Sequence, residues 1–272
     1  PRRRNEERMT DWYIGTMGFG YRDWQGAFYP EKLPKGQQLA YYASRFNALE
    51  MDSTFYGTPR AETVARWRAT APEGFVFCPK APRDITHDLR LAGAAGDVLA
   101  VFVETMQTLG DRLGPILLQF PPDFHVEERA ALAAFLPQLP AGARYAVELR
   151  HRSWWSDETA ELLRAHGVCW AAADYIYLPK EIRRTAGFLY IRFLGRHGQF
   201  DVKSREQVDK TEDLRAWRSK VEAEVESGPD VSAVYAFFND DYAGHAPGTA
   251  NRLRALLGME VEEGPPQQGR LF

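Results

Sequence analysis

Carboxylates and cations recur in this chain at the ends of short apolar runs, a pattern that suits acid–base or metal-assisted chemistry. Glu50 closes one such run, Lys80 the next and Gln119 the one after. Glu148 and Arg150 follow in the same way, then Asp174, Arg192, and Asn239 beside Asp240. Glu50 and Glu148 stand on different runs and can serve as acid and base, or with Asp174 as ligands of a divalent metal ion. Lys80 can act as a Schiff-base nucleophile if burial depresses its pKa, or as the counter-ion of these carboxylates. Arg192 is suited to steadying charge that develops on a phosphate. Glu50, Lys80, Glu148, Asp174, Arg192 and Asn239 are therefore the candidate catalytic residues.

Candidate ligand contacts lie in the intervening segments. The rings of Trp24, Tyr56 and Trp154 could stack on bases or sugar faces, or pack long loops over the core. Gln119, Arg150, His87 and His151 add polar groups. Arg196 and His197 in Gly195-Arg196-His197-Gly198, with Arg192 and a helix start near Pro247-Gly248-Thr249, suggest an anion site. There is no His-x-x-x-His motif and no Cys–His spacing typical of zinc, so a divalent ion is an open option without a motif behind it.

These residues need a scaffold that brings strand ends together. Apolar runs fall at 12–16, 47–52, 75–80, 115–120, 144–149, 168–173, 188–193 and 233–238, alternating with segments of helical period. Eight buried parallel strands, each followed by a helix, predict an α/β fold, a single (β/α)8 TIM-type barrel over residues 11–258. In that fold strand C-termini share one mouth, so the polar residues above would converge. Helices are expected at 37–46, 61–70, 95–113, 158–166 and 248–257, and at 205–226 behind a Ser204/Gln207 capping box. The sixth connection, 175–187, contains Pro179 and is expected to be irregular. A doubly wound sheet is the rival, but no glycine-rich phosphate loop supports it.

Composition agrees with one well-filled domain: 272 residues, 44% hydrophobic and 26% charged, with a formal net charge of −3. That charge gives no overall basic footprint, so nucleic acid could bind only at a local patch. No stretch has the roughly 18 apolar residues of a membrane helix. Cys78 and Cys169 sit in apolar runs and read as buried thiols in a cytoplasmic protein. Residues 1–10, arginine-rich without a following apolar region, read as a flexible extension.

An ordered set of motifs adds a resemblance. Ile14-Gly15-Thr16-Met17-Gly18-Phe19 is followed by Trp24-Gln25-Gly26-Ala27-Phe28-Tyr29-Pro30, then by Phe46-Asn47-Ala48-Leu49-Glu50 and Ser53-Thr54-Phe55-Tyr56. Further on come Lys80-Ala81-Pro82, Gln119-Phe120-Pro121-Pro122, Glu148-Leu149-Arg150-His151, Tyr190-Ile191-Arg192 and Phe238-Asn239. Together they resemble the DUF72, or YecE-like, family across about residues 12–258. The resemblance implies a TIM-type barrel and brings no assigned reaction. It also suggests a fold-level likeness to metal-dependent barrel endonucleases. Two positions depart from the family pattern: Met17 stands where serine is usual, and Leu194 where histidine is usual.

The last residues, 259–272, are acidic and rich in proline and glycine, the composition of a flexible tail. Yet the tail ends in Gln268-Gly-Arg-Leu271-Phe272, which resembles the Gln-x-x-Leu-Phe peptide that docks bacterial proteins on the sliding clamp. Gln268, Leu271 and Phe272 are the expected partner contacts. These features lead to an enzyme acting on a phosphorylated or nucleic-acid substrate, such as a DNA-repair hydrolase recruited by the clamp. A sugar or sugar-phosphate isomerase, lyase or hydrolase is the alternative, and a non-catalytic ligand-binding module is the third reading.

Overall fold

Each of the apolar runs folds into strand, because both faces of each run find apolar cover. The computed structural model describes residues 10–227 and 231–261, which leaves residues 1–9 and the clamp-like Gln268, Leu271 and Phe272 outside the described residues. The strands are β1 (Asp11–Met17), β2 (Ala48–Met51), β3 (Val76–Pro79), β4 (Ile116–Gln119) and β5 (Tyr145–Glu148). They continue as β6 (Cys169–Trp170), β7 (Ala172–Asp174), β8 (Phe188–Phe193) and β9 (Ala233–Phe238). All their pairings are parallel.

Six strands form one sheet in the order β3-β2-β1-β9-β8-β7, and three form another in the order β4-β5-β6. The run expected at 168–173 is divided at Ala171, where the chain changes partners: β6 pairs with β5 and β7 with β8. Ala171 itself donates its N–H to Val147 O at 2.9 Å. On the other side, isolated parallel bridges join Phe77 to Leu113 and Lys80 to Leu117.

Side-chain alternation divides the apolar residues into two clusters. One holds Ala48, Cys78, Leu117, Ala146, Cys169, Tyr190 and Tyr235, all on the same strand face. The other holds Leu49, Phe77, Leu118, Val147, Leu189 and Val234, packed under the helices. Both cysteines are buried free thiols.

The helices that follow the strands are α1 (Gln38–Ala43), α2 (Ala61–Thr70), α3 (Ala95–Met106), α4 (Arg129–Phe135) and α5 (Asp157–Ala165). After β8 come α6 (Thr211–Glu226), the short α7 (Asp240–Ala243) and α8 (Ala246–Leu256). α6 starts six residues later than the capping-box pattern predicts. Gln207 turns its amide to Val202 O instead, and Asp209 accepts the Thr211 N–H at 2.9 Å. α3 stops short of residue 113 in a 3-10 turn, in which Gly110 takes φ 59°. Among the described residues no helix is long and apolar enough to cross a membrane.

The connection between β7 and β8 has no helix, as Pro179 predicts. Its chain is held by side chains instead. Thr185 Oγ1 donates to Val168 O at 2.6 Å and accepts from Trp170 N at 2.7 Å. The Arg183 guanidinium lies over the rings of Trp155 and Trp170 at 5.3 and 5.8 Å and reaches Asp157.

Candidate active site

At the C-terminal end of the strands Arg192 bridges two buried glutamates. It sits on β8 in line with Tyr190, two residues back on the same face. Its Nε and Nη2 form a fork on Glu50 of β2, with Nη2 to Oε1 at 2.7 Å and Nε to Oε2 at 3.0 Å. Its Nη1 donates to Glu148 Oε2 of β5 at 2.5 Å. Arg150 Nε takes the other Glu148 oxygen at 2.5 Å, and the Tyr190 hydroxyl donates to Glu50 Oε2 at 2.7 Å. Two guanidiniums thus balance two carboxylates in a region where Glu50 and Glu148 are fully inaccessible. This burial is tolerable because each of the four carboxylate oxygens has a charged donor.

The two glutamates do not titrate alike. Burial pushes Glu50 up, against Arg192, and Asp52 adds to the rise. Burial also raises Glu148, but Arg150 and Arg192 together outweigh it and hold this carboxyl at about 2.

Above this ion-pair floor opens a cavity of about 370 Å³ lined by Lys80, Arg150, Arg192, Gln119, Asn239 and Asp52, with Tyr56 and Phe55 at its edge. Lys80, from the end of β3, keeps its Nζ 3.9 Å from Asp52 and 4.0 Å from the centre of the Phe55 ring. Burial and the neighbouring Arg192 lower its pKa to about 8. Asp52 Oδ1 lies 4.0 Å from Arg192 Nη2 and makes no hydrogen bond among the described residues. The cavity is therefore lined by three cations, which Glu50, Glu148 and Asp52 offset, and by two amide side chains.

With this geometry established, the relatives can be placed. The model of the family described as "Protein of unknown function DUF72" matches residues 13–270. The chain belongs to the DUF72 family. The UPF0759 protein YecE of Escherichia coli K12 is 37% identical over 130 residues, 48% of this chain and about half, 47%, of that protein's length. The UPF0759 protein YunF of Bacillus subtilis is 26% identical over 96% of this chain and 99% of its own. A DUF72 family crystal structure from Thermotoga maritima superposes with a TM-score of 0.75 at 31% identity, covering 91% of this chain and 99% of that one. One from Enterococcus faecalis, at 22% identity and TM-score 0.72, shares the fold over 94% of this chain and 99% of its own.

The family's motif residues fall unevenly around the site. Of the expected catalytic residues, Lys80, Arg192 and Asn239 line the cavity and Glu50 and Glu148 form its floor. Asn239 also caps α7, accepting from Asp241 N at 2.8 Å. Asp174 does not join them. It is on the opposite strand face, where its carboxylate accepts from Trp217 Nε1 and Tyr242 Oη at 2.8 Å and pairs with Lys180. The expected metal triad of Glu50, Glu148 and Asp174 is therefore not assembled. The Arg192 fork occupies the space between the two glutamates, and no group of three His, Cys, Asp or Glu among the described residues could hold a metal ion.

Among the expected ligand contacts, Gln119, Arg150 and Tyr56 line the cavity, and Tyr56 is 81% exposed. His87 packs edge-on against Phe55 at 5.0 Å from a single π-helical turn. Its pKa is lowered by burial and by Lys80. Trp24 and Trp154, expected as stacking platforms for a ligand, are packing residues instead. Both are fully buried, with Trp24 Nε1 on Asp240 and Trp154 Nε1 on Phe124 O at 2.7 Å. Arg196 and His197 stand exposed outside the cavity, and His197 faces Asp241 at 3.6 Å. The anion site expected from Arg192, Arg196 and His197 together is thus not formed; only Arg192 reaches the mouth.

Two site residues escaped the sequence reading. Asp52 and Tyr190 lie two positions from Glu50 and Arg192, and the strand period alone would have put them on the same face. The family departures are visible too: Met17 Sδ accepts from Arg192 Nη2 at 3.4 Å, and Leu194 lines the cavity.

Proposed function

We propose that this chain is an enzyme acting on a small phosphorylated, hydroxylated carbonyl compound, with Lys80 as its reactive amine. One observation carries the reading: a lysine brought to about 8 lies in a cavity with Arg150, Arg192 and Asp52, whose carboxylate faces both Lys80 and Arg192. Near pH 8 a substantial share of such an amine is unprotonated and nucleophilic. It adds to a carbonyl carbon and, with loss of water, forms an imine. Arg150 and Arg192 would hold the phosphate, and Asp52, Gln119 and Asn239 would hold hydroxyls. Glu50 and Glu148 act by positioning the guanidiniums, since their own oxygens are committed to hydrogen bonds.

The scaffold for this reading is a closed (β/α)8 barrel. The segment 169–174 pairs with both sheets, and the Phe77–Leu113 and Lys80–Leu117 bridges link their other edges. Closure would bring the strand ends of β2, β3, β5 and β8 around one mouth.

Calorimetry with inorganic phosphate, ribose 5-phosphate and ribose tests the substrate class. Both phosphates should bind and weaken with added salt, while ribose should not. Borohydride added with ribose 5-phosphate should fix a covalent adduct on Lys80, faster as the pH rises through about 8. The adduct should vanish in Lys80→Met. Phosphate binding without any trapped adduct would leave a non-catalytic ligand-binding module, and absence of phosphate binding would overturn the reading altogether.

A further inference from the structure

Beside the cavity lies a second one, of about 390 Å³, lined by Pro122, Arg150, His151, Arg152, Tyr175 and Tyr177. Arg150 belongs to both. The second cavity exists because the segment after β7 forms no helix: Tyr175 and Tyr177 come from that irregular stretch instead. Leu178 is buried next to them and anchors the turn, with its N–H on Tyr175 O at 3.2 Å. Arg152 Nε ties down Tyr177 O at 3.0 Å, so the carbonyl is fixed while the Tyr177 side chain remains outward, the residue being 57% exposed.

The chemistry of this lining differs from that of its neighbour. The Tyr175 and Tyr177 rings meet edge to face at 5.2 Å, with the pyrrolidine of Pro122 in the same wall. The Arg150 guanidinium already lies over Tyr175, 5.8 Å from its centre. His151, whose ring packs on His125 with centroids 3.9 Å apart, adds a polar edge. Flat faces edged by ring nitrogens and a guanidinium suit a planar heteroaromatic ring better than an aliphatic chain, which would leave the polar edges unpaired. An exposed tyrosine at such a place has little packing role of its own.

We infer that the two cavities form one bipartite site for a nucleotide-like ligand. The anionic group sits by Lys80 and Arg192, Arg150 stands at the junction, and a planar ring stacks on Tyr177 with Tyr175 at its edge. This inference rests on the phosphate-binding reading above and concerns binding alone, because a nucleotide offers Lys80 no free carbonyl.

Calorimetry with AMP and ribose 5-phosphate, on the wild-type chain, Tyr177→Ala and Lys80→Met, separates the two readings. AMP should bind about tenfold more tightly than ribose 5-phosphate, in keeping with one stacked base. Tyr177→Ala should erase that advantage while leaving ribose 5-phosphate affinity and the melting temperature unchanged. Lys80→Met should weaken both ligands. Equal affinity for AMP and ribose 5-phosphate, or an AMP advantage that survives Tyr177→Ala, overturns the ring subsite and leaves the phosphate site standing. AMP binding that is lost in Tyr177→Ala but indifferent to Lys80→Met supports the ring subsite and defeats the phosphate site. If neither ligand binds, both fall.

Discussion

Arg192 holds Glu50 with one edge of its guanidinium and Glu148 with the other, so its removal would leave two carboxylates in a space that water does not reach. Breaking such a buried pair from one side costs about 3–5 kcal/mol, because the stranded charge keeps its desolvation penalty. Arg192→Met should show that loss in urea unfolding, and adding Glu50→Gln and Glu148→Gln should restore much of it. A single variant as stable as the parent would mean that the glutamates are not charged there. Acid offers a second measurement. Glu148 is held at about 2, below its unfolded value of about 4.3, so the folded state binds its proton less readily. The stability it contributes is complete above the unfolded value and drains away as pH falls toward 2. Unfolding free energies measured across that window should fall less steeply in Glu148→Gln than in the parent. Glu50, raised by burial, acts in the opposite sense, so the comparison must be made with the Glu148 variant alone.

Strand period explains both what could be read from the sequence and what could not. Continuous apolar runs located the strands, since residues buried on both faces carry no polar interruption, and polar run ends identified Glu50, Lys80, Glu148 and Arg192. The same continuity hides which face a residue takes. Asp174 ends β7 but has the opposite parity to Cys169 and Ala171, which face inward with Ala146, and so it meets Trp217 and Tyr242. Ring-rich loops were harder still, because loop position does not separate Trp24 and Trp154, buried with their indole N–H groups bonded, from the exposed Tyr56. Helix starts failed where a tertiary contact took the capping residue, as Val202 took Gln207. The connection after β7 depends on such a contact throughout. Thr185 replaces backbone pairing for Val168 and Trp170, and it is buried. Thr185→Val keeps the shape but orphans one carbonyl and one N–H, and the chain should lose about 1–3 kcal/mol in denaturant unfolding. Faster hydrogen exchange at the Trp170 amide should accompany the loss. An unchanged exchange rate would show that the segment is held by Arg183 and the two tryptophans instead.

At the scale of the whole chain the question is whether the cavity works alone. A net charge of −3 gives no broad basic face, and the mouth of the strands, whose cations are paired with carboxylates, is too small for a long nucleic-acid footprint. A role on DNA would thus depend on delivery by a partner, and the C-terminal residues are where the sequence suggests one. The match to the family runs to residue 270 and so includes Gln268 but not the final Leu271-Phe272 pair. Docking of 267–272 in the hydrophobic groove of a bacterial sliding clamp remains a proposal from sequence. In it the two apolar side chains supply most of the affinity, at about 25 cal/mol per Å² buried, and Gln268 orients the peptide. Ordering the segment on binding opposes this, so the dissociation constant should be on the order of micromolar. The rival is that Leu271 and Phe272 pack on their own domain. Thermal melting and calorimetry of Leu271→Ala/Phe272→Ala against the cognate clamp divide the two. Lost clamp binding at an unchanged melting temperature supports docking. A melting temperature lowered by several degrees assigns the pair to the core, and with it the argument for DNA work disappears while the phosphate site of Lys80 and Arg192 is untouched.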